Sequence, residues 1–547
     1  MLSNLFSARI YRSALLLAMT TTIGFPNAYG AVKADELNDR VVDQAAVDMQ
    51  DEADADLSAL VRAHAGQKEE PEMLLRLSEL RLEIADQMFR VAYGPGETAL
   101  KKSYQSKLVS GEQSLSRLLR VYSKSEQFGR ALFLRAKARK ELGRNAESLK
   151  DFELFLSRFS GRREAAVAAM GVADLSMAKQ NYARAIAVLA PLASKPNHAL
   201  YPNALYKRAW AFHSQSKPLL AVKELRTLAA HFAKQEKTGT LSAGDRGLRE
   251  TVFGDVPTIA YMAFASDGKA FPLSNVNGLF RAYDTNEGYR RMALRFMDHL
   301  RTSDREGDLR TWKAIVLKSD PARSENLPML IATFEYDLER ESFTDVVKTS
   351  NEMAQILVKN PTAENAVEAR NLVVKAANAL TKRVSDYKAS PKASEAEKQL
   401  GLVLASFDRM APQDLRRIAL RWNLAETYFG LSRYESSAQT YRWVARNWIS
   451  EVKTVPGTAI SAQAADLKAI ASRYEALKEA HVVPSELKAS ASALVLKDST
   501  KIALVREWIQ WIDENAANGG QALAGFGFEA NRTLYSVGFQ DEAMERM

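Results

Sequence analysis

Ala131-Leu132-Phe133-Leu134-Arg135-Ala136-Lys137-Ala138 and Ala204-Leu205-Tyr206-Lys207-Arg208-Ala209-Trp210-Ala211 agree at five of eight positions, with a Phe/Tyr match besides, 73 residues apart. Midway lies Ala168-Ala169-Met170-Gly171-Val172-Ala173, so the spacing is 37 and then 36. A fixed period of that size marks an array of small supersecondary units. Each stretch is followed by a second apolar-periodic segment, over 145–159 after Gly143, over 182–192 and over 219–232. Three consecutive helix–turn–helix units result. The small residues have a physical purpose: antiparallel helices approach within about 8–10 Å only where the facing side chains are small enough for bulky neighbours to interdigitate.

Outward from these units, helical periodicity dominates from about residue 70, with Gly and Pro mostly at short junctions and no run of alternating strand pattern. The chain resembles the tetratricopeptide repeat family. That family has small residues at its eighth and twentieth positions and a bulky one at its twenty-fourth; here these are Ala136, Ala173 and Ala209, then Ser148, Ala185 and Ala221, then Phe152, Leu189 and Leu225. Trp422 to Tyr428, Leu431 to Tyr434, Ser437 and Tyr441 fit a later unit, whereas Arg139 and Ser176 depart from the family's eleventh-position aromatic. The resemblance implies an all-α fold, an α-solenoid (superhelix) of antiparallel helix pairs with degenerate repeats. Segments 71–90 and 108–122 read as an elongated first pair joined through Tyr93-Gly94-Pro95-Gly96, and 327–357 and 366–389 as pairs with poor signatures.

The expected organisation is a leader over 1–30, an acidic linker or helix over 31–66 and an N-terminal array over 67–236. An irregular insertion or hinge over 237–288, a second array over 289–450 and C-terminal repeats over 451–547 follow. Segment 237–288 is set apart by Gly239, Gly244, Gly247, Gly254, Pro257 and further breakers. It reads either as a distorted repeat acting as a hinge or as a longer loop with one helix over 258–264. The final stretch, Phe528 to Ala543, reads as a first helix and turn, so the last repeat is expected to be incomplete and the chain part of a longer protein.

The N-terminus holds Arg9 and Arg12 without an acid, then an apolar core from Ala14 toward Phe25, Pro26, and Ala28-Tyr29-Gly30 before a cleavage point ahead of Ala31. This is the tripartite pattern of a secretory signal, with an apolar core too short to span a bilayer needing about 20 residues. The 547 residues contain no cysteine. Disulfides, thiolate metal sites, cysteine nucleophiles and thioether lipid anchors are thereby excluded. The expectation is a soluble periplasmic protein, peripheral to a membrane at most.

Convergent chemistry is missing from the text. The six histidines (64, 198, 213, 231, 299 and 481) form no metal-helix spacing. Gly239 to Gly244 is followed by Asp245-Arg246 instead of the Lys-Ser/Thr of a phosphate loop, and no Gly-x-Ser-x-Gly elbow occurs. No catalytic, cofactor-binding or metal-ligating residues are expected, and no enzyme.

In the tetratricopeptide family the concave surface is lined by the second, fifth, ninth and twelfth positions of each first helix. By that resemblance the lining here is Arg130, Phe133, Lys137 and Lys140, then Val167, Met170, Asp174 and Met177, then Asn203, Tyr206, Trp210 and His213. The groove would be basic at one end and aromatic at the other. Lys137 and Lys140 are placed to meet a partner's carboxylates, and Tyr206 and Trp210 to supply rigid apolar area; equally, the aromatic pair would serve packing against the next repeat. Between Glu97 and Glu164 there are 16 Lys plus Arg against 8 acids, nearly the whole of the chain's net +9. The chain is also similar to exported tetratricopeptide proteins of the gliding-motility and envelope-assembly type, which implies a periplasmic scaffold holding envelope proteins or peptide segments. An anionic cell-wall polymer or lipid headgroup is a second ligand class, and nucleic acid is not expected. The alternative is the non-catalytic superhelical arm of a larger cell-wall enzyme such as a lytic transglycosylase.

Overall fold

The computed structural model describes residues 52–92, 98–318, 323–388, 390–450, 452–483, 498–517 and 520–546. The leader, most of the acidic stretch and the Tyr93–Gly96 junction lie outside them. The chain divides into two compact units, 1–303 and 304–547. Every regular element among the described residues is helical, apart from a single 3-10 turn at Ser324–Asn326.

In the first unit, a helical stretch over 52–63 precedes α1 (Glu70–Ala92), α2 (Thr98–Val121), α3 (Phe128–Glu141), α4 (Asn145–Phe159), α5 (Ala165–Ala178), α6 (Tyr182–Ala193), α7 (Tyr201–Ser214), α8 (Pro218–Lys237), α9 (Ala243–Ser266), α10 (Leu273–Tyr283) and α11 (Glu287–Thr302). The second unit runs α12 (Glu306–Leu317), α13 (Leu327–Glu339), α14 (Phe343–Lys359), α15 (Ala366–Tyr387), α16 (Pro391–Met410), α17 (Arg416–Gly430), α18 (Tyr434–Arg446), α19 (Ala462–Glu479), α20 (Ser499–Asn515), α21 (Gly520–Ser536) and α22 (Gln540–Glu545).

The repeat register read from sequence is the packing register. Ala136, Ala173, Ala209, Ser148, Ala185 and Ala221 are all fully buried where the two helices of a pair cross, with Phe152, Leu189 and Leu225 buried beside them. Two serines at the twentieth position, Ser148 and Ser437, donate back across the crossing to the carbonyls of Ala136 (2.6 Å) and Ala425 (2.9 Å). A buried hydroxyl is thus satisfied by the partner helix, which keeps the approach close without leaving a polar orphan.

A second periodic feature was not read from sequence. Gly143, Gln180 and Ser216 in the first unit, and Glu341, Ser432 and Gly538 in the second, all have φ between +56° and +101°. Each stands two residues before the second helix of its pair. In every case the next amide donates to the carbonyl five residues back, at 2.8 or 2.9 Å: Arg144 to Arg139, Asn181 to Ser176, Lys217 to Phe212, Ser342 to Asp337, Arg433 to Tyr428 and Phe539 to Leu534. This is the Schellman end, which closes a helix by a left-handed residue and reverses the chain at once. Together the buried crossings and this shared turn define an all-α helical repeat fold.

Segment 237–288 is neither a loop nor a gap in the array. Ser242 caps α9 by accepting the Asp245 amide (3.0 Å), and α9 then continues for 24 residues through Gly247, Gly254 and Pro257. The α10 helix is tied back to α8 by the Tyr283 hydroxyl on the Leu225 carbonyl (2.7 Å). The segment therefore forms two helices inside the first unit, α9 packed chiefly on α11 and α10 on α8. Its glycines misled because helix-interior glycine weakens a helix by only about 1 kcal/mol, which packing overrides. The degenerate pair α13/α14 keeps the turn at Glu341 but has Phe334 and Val346, both fully buried, where better repeats have small residues. In the acidic stretch, Asp54 is buried and held by Arg81 (2.8 Å) and Lys107 (2.6 Å), which pull its carboxyl below the usual range against the opposing effect of burial. No helix among the described residues is long and apolar enough to cross a membrane.

Candidate partner-binding faces

Short turns make successive helices antiparallel, so the first helices of neighbouring pairs pack side by side and present one face. In the first unit this face is built from α3, α5, α7 and α9. Arg130 on α3 is held between Glu79 (2.9 Å) and Glu164 (3.2 Å). Lys137 is exposed. Lys140 reaches Asp174 on α5 (2.7 Å), and Asp174 also receives Lys207 of α7, so one carboxylate links three successive first helices. His213 is half-buried, its ring edge-on to Trp210 at 5.3 Å, and burial lowers its pKa.

Two assignments are corrected. Phe133 is only 5% exposed and packs against Phe152 (6.1 Å) and Phe155 (5.5 Å), so it belongs to the core within its own pair. Trp210 is likewise 5% exposed. Tyr206 is half-buried and donates its hydroxyl to Asp255 on α9. Burial, and then the Asp255 charge, push the phenol far above its ordinary range; burial also raises Asp255, opposed by the Tyr206 hydrogen bond. The aromatic end of the expected groove is therefore largely packing against the next repeat. The basic end is also altered. Asp54, Glu70, Glu79 and Asp174, all outside 97–164, pair with Lys107, Arg117, Arg130 and Lys140, and so meet half of the surplus of eight charges. Counting along the sequence missed acids one repeat away.

The second unit carries a more open face. Transferring the fifth and twelfth positions by the left-handed turns at Ser432 and Gly538 selects Trp422 and Phe429 on α17, and Phe528 and Tyr535 on α21. Phe528 is 61%, Tyr535 49% and Phe429 39% exposed. On α19, Lys468 lies over the Trp422 ring (5.4 Å) and pairs with Glu426, while Lys478 lies over Tyr474 (5.4 Å) and pairs with Glu475 (3.1 Å). Tyr474 in turn stacks on Trp508 (5.5 Å) and meets the edge of Phe526 (5.8 Å). Sequence reading used Trp422 only as a family marker and Phe528 and Tyr535 only as part of an incomplete last repeat; the positional transfer made for the first three units finds all three and Phe429 as well.

A depression of about 470 Å³ lies at the turn before α14 and is lined by charged and aromatic side chains including Arg383, Tyr387 and Lys392. Among the described residues no group of three His, Asp or Glu side chains is arranged to hold a metal ion. What these faces offer chemically is exposed aromatic area rimmed by paired charges, a composition suited to protein contacts.

No protein-family profile matches the chain, and no curated protein does. Among solved structures it is similar to Naa15/Naa10 bound to HypK-THB, with 12% identity, TM-score 0.30, and coverage of 90% of this chain and 68% of that one. It is also similar to the APC/C hetero-tetramer Cut9-Hcn1, at 11% identity and TM-score 0.23 over 81% of this chain and 83% of that one. A third is the human IFIT1 dimer with m7Gppp-AAAA, at 11% and 0.19 over 77% and 89%.

Proposed function

We propose that this chain is a non-catalytic, exported scaffold that holds partner proteins of a bacterial cell-envelope complex. The signal-like leader supports export, and the repeat fold supports binding. The observation that carries the reading is the exposed aromatic set Phe429, Phe528 and Tyr535 on the first-helix face of the second unit. Large aromatics left in water at the positions that face a partner in this repeat are costly unless they are covered. In the first unit Lys137, Lys140 and His213 serve the same end as polar rim contacts around a mostly packed face. The test is copurification from envelopes in mild detergent, comparing wild type with Phe429→Ala/Phe528→Ala/Tyr535→Ala. Loss of about 2 kcal/mol for even one dominant aromatic lowers affinity roughly thirtyfold, which depletes the partner set. An unchanged set of captured envelope proteins contradicts the reading.

A further inference from the structure

In the first unit the turns from each second helix to the next first helix all fall on one edge, because consecutive helices run antiparallel. That edge is basic. Lys124 occupies the first such turn, Arg162 and Arg163 the second and Lys195 the third, with Arg158 in the last turn of α4 and Lys237 at the end of α8, and all six are exposed. The acids beside them are Glu126, Glu164, Glu236 and Asp245; Glu164 is engaged by Arg130 (3.2 Å) and approached by Arg163 (3.9 Å), and Glu236 is engaged by Arg249 (3.2 Å). On the opposite edge the turns hold Arg144, already bonded to Glu112 (3.3 Å), with Lys179 and Lys217, while Glu141 and Glu147 end α3 and begin α4 beside the first of these turns. The asymmetry is larger than helix dipoles require: a cation on the last turn of a helix is favourable there, but Arg162 and Arg163 lie beyond the end of α4.

Two of these arginines differ from their neighbours. Arg130, Arg135, Arg139 and Arg144 each hold a carboxylate within 3.3 Å. Arg158 and Arg162 have no ion-pair partner among the described residues. Their guanidinium groups lie over the Phe128 ring (5.9 Å) and the Phe159 ring (5.0 Å), which are 6.4 Å apart. Arg162 is seated against Gly129, where a Cβ would stand 3.0 Å from a guanidinium nitrogen. Lying over rings instead of against carboxylates, the two guanidinium groups keep donors available for bidentate capture of a phosphate oxygen pair. Val121, 55% exposed, adds an apolar contact at the same edge.

We propose that this edge docks the protein on an anionic phospholipid surface, with Arg158 and Arg162 as the headgroup-binding pair. Cations spread over several successive turns suit an extended anionic surface better than a single bound segment, and each added cation strengthens adhesion to a negatively charged leaflet. Protein partners remain free to occupy the first-helix faces, so this surface stands or falls independently of the scaffold reading.

The experiment is vesicle co-flotation of the full chain on phosphatidylcholine with and without phosphatidylglycerol, across ionic strength. The expected result is binding that requires phosphatidylglycerol, weakens as salt rises, and falls about tenfold or more in Arg158→Ser/Arg162→Ser/Arg163→Ser. A Lys179→Ser/Lys217→Ser variant on the opposite edge retains it. If the triple variant does not fold by circular dichroism, Arg163→Ser/Lys195→Ser/Lys237→Ser, whose side chains are exposed, is read for the same loss. Equal binding by edge and control variants overturns the proposal. So does capture of soluble polyglutamate in preference to vesicles, which would assign the edge to an acidic protein.

Discussion

A Cβ at position 171 would stand 2.7 Å from the Phe152 ring, whereas one at position 247 would meet nothing within 4 Å. Both glycines are helical, on α5 and α9, so the same substitution has opposite expected signs. Gly247→Ala should stabilise by roughly 0.5–1 kcal/mol through helix propensity. Gly171→Ala gains the same propensity but overpacks the crossing of α4 on α5, and should destabilise by about 1–2 kcal/mol net. Urea midpoints of the two variants check this, and shifts in the same direction would contradict it. The buried small residues were legible because each crossing joins positions 12 apart in one pair, as the Ser148–Ala136 bond shows. Tyr206 was not: its partner Asp255 is 49 residues away, in a segment whose glycines hid a helix. Phe133 failed for a related reason, since an aromatic at the fifth position either faces outward or turns to the core, and Phe152 and Phe155 decide which.

Helix pairs here are joined by a turn that demands a left-handed residue, and only Gly143 and Gly538 of the six supply one without strain. Gln180, Ser216, Glu341 and Ser432 adopt the same φ with a side chain present, at a cost of about 1–2 kcal/mol each in local conformational energy. Glycine there would relieve that cost but loosen the unfolded chain by about 0.4–1 kcal/mol. Ser216→Gly should therefore raise stability by roughly 0.5–1 kcal/mol, and Gly143→Ala should lower it by a similar amount. Thermal melting of the pair of variants checks the sign, and equal melting temperatures would show that the turn geometry is not what limits these junctions. The helices themselves were legible from apolar spacing. The glycine turns were legible as well, but not the left-handed geometry at the others, because hydrogen bonding from Lys217 to Phe212 enforces at Ser216 a conformation that serine does not announce.

Charge is distributed over the whole chain by the repeat, which places each group near others about one period away in sequence. Sequence counting located the basic stretch and missed which of its members were already neutralised. The same geometry gathers carboxylates in the second unit, where Arg310 of α12 meets Glu306 (2.7 Å), Asp337 (3.2 Å) and Asp345 (2.8 Å). Asp337 is buried, and burial pushes its carboxyl up to about 6; Arg310 opposes this and Asp345 reinforces it. In the unfolded chain the same group titrates near the ordinary 3.8. Well below pH 3.8 it is protonated in both states and costs nothing. As pH rises toward 6 the unfolded chain releases its proton first, so stability falls across that interval and levels off above it, by up to about 3 kcal/mol. Because each repeat touches only its neighbours, the loss should be confined to α12, α13 and α14, with amide exchange in α3 to α9 unaffected by this group. Asp337→Asn cannot release a proton, so its local protection should lack this component of the fall between pH 4 and pH 6. Hydrogen exchange on both proteins at matched pH values reads the difference directly; parallel pH profiles would mean that Asp337 is solvated well enough to titrate normally.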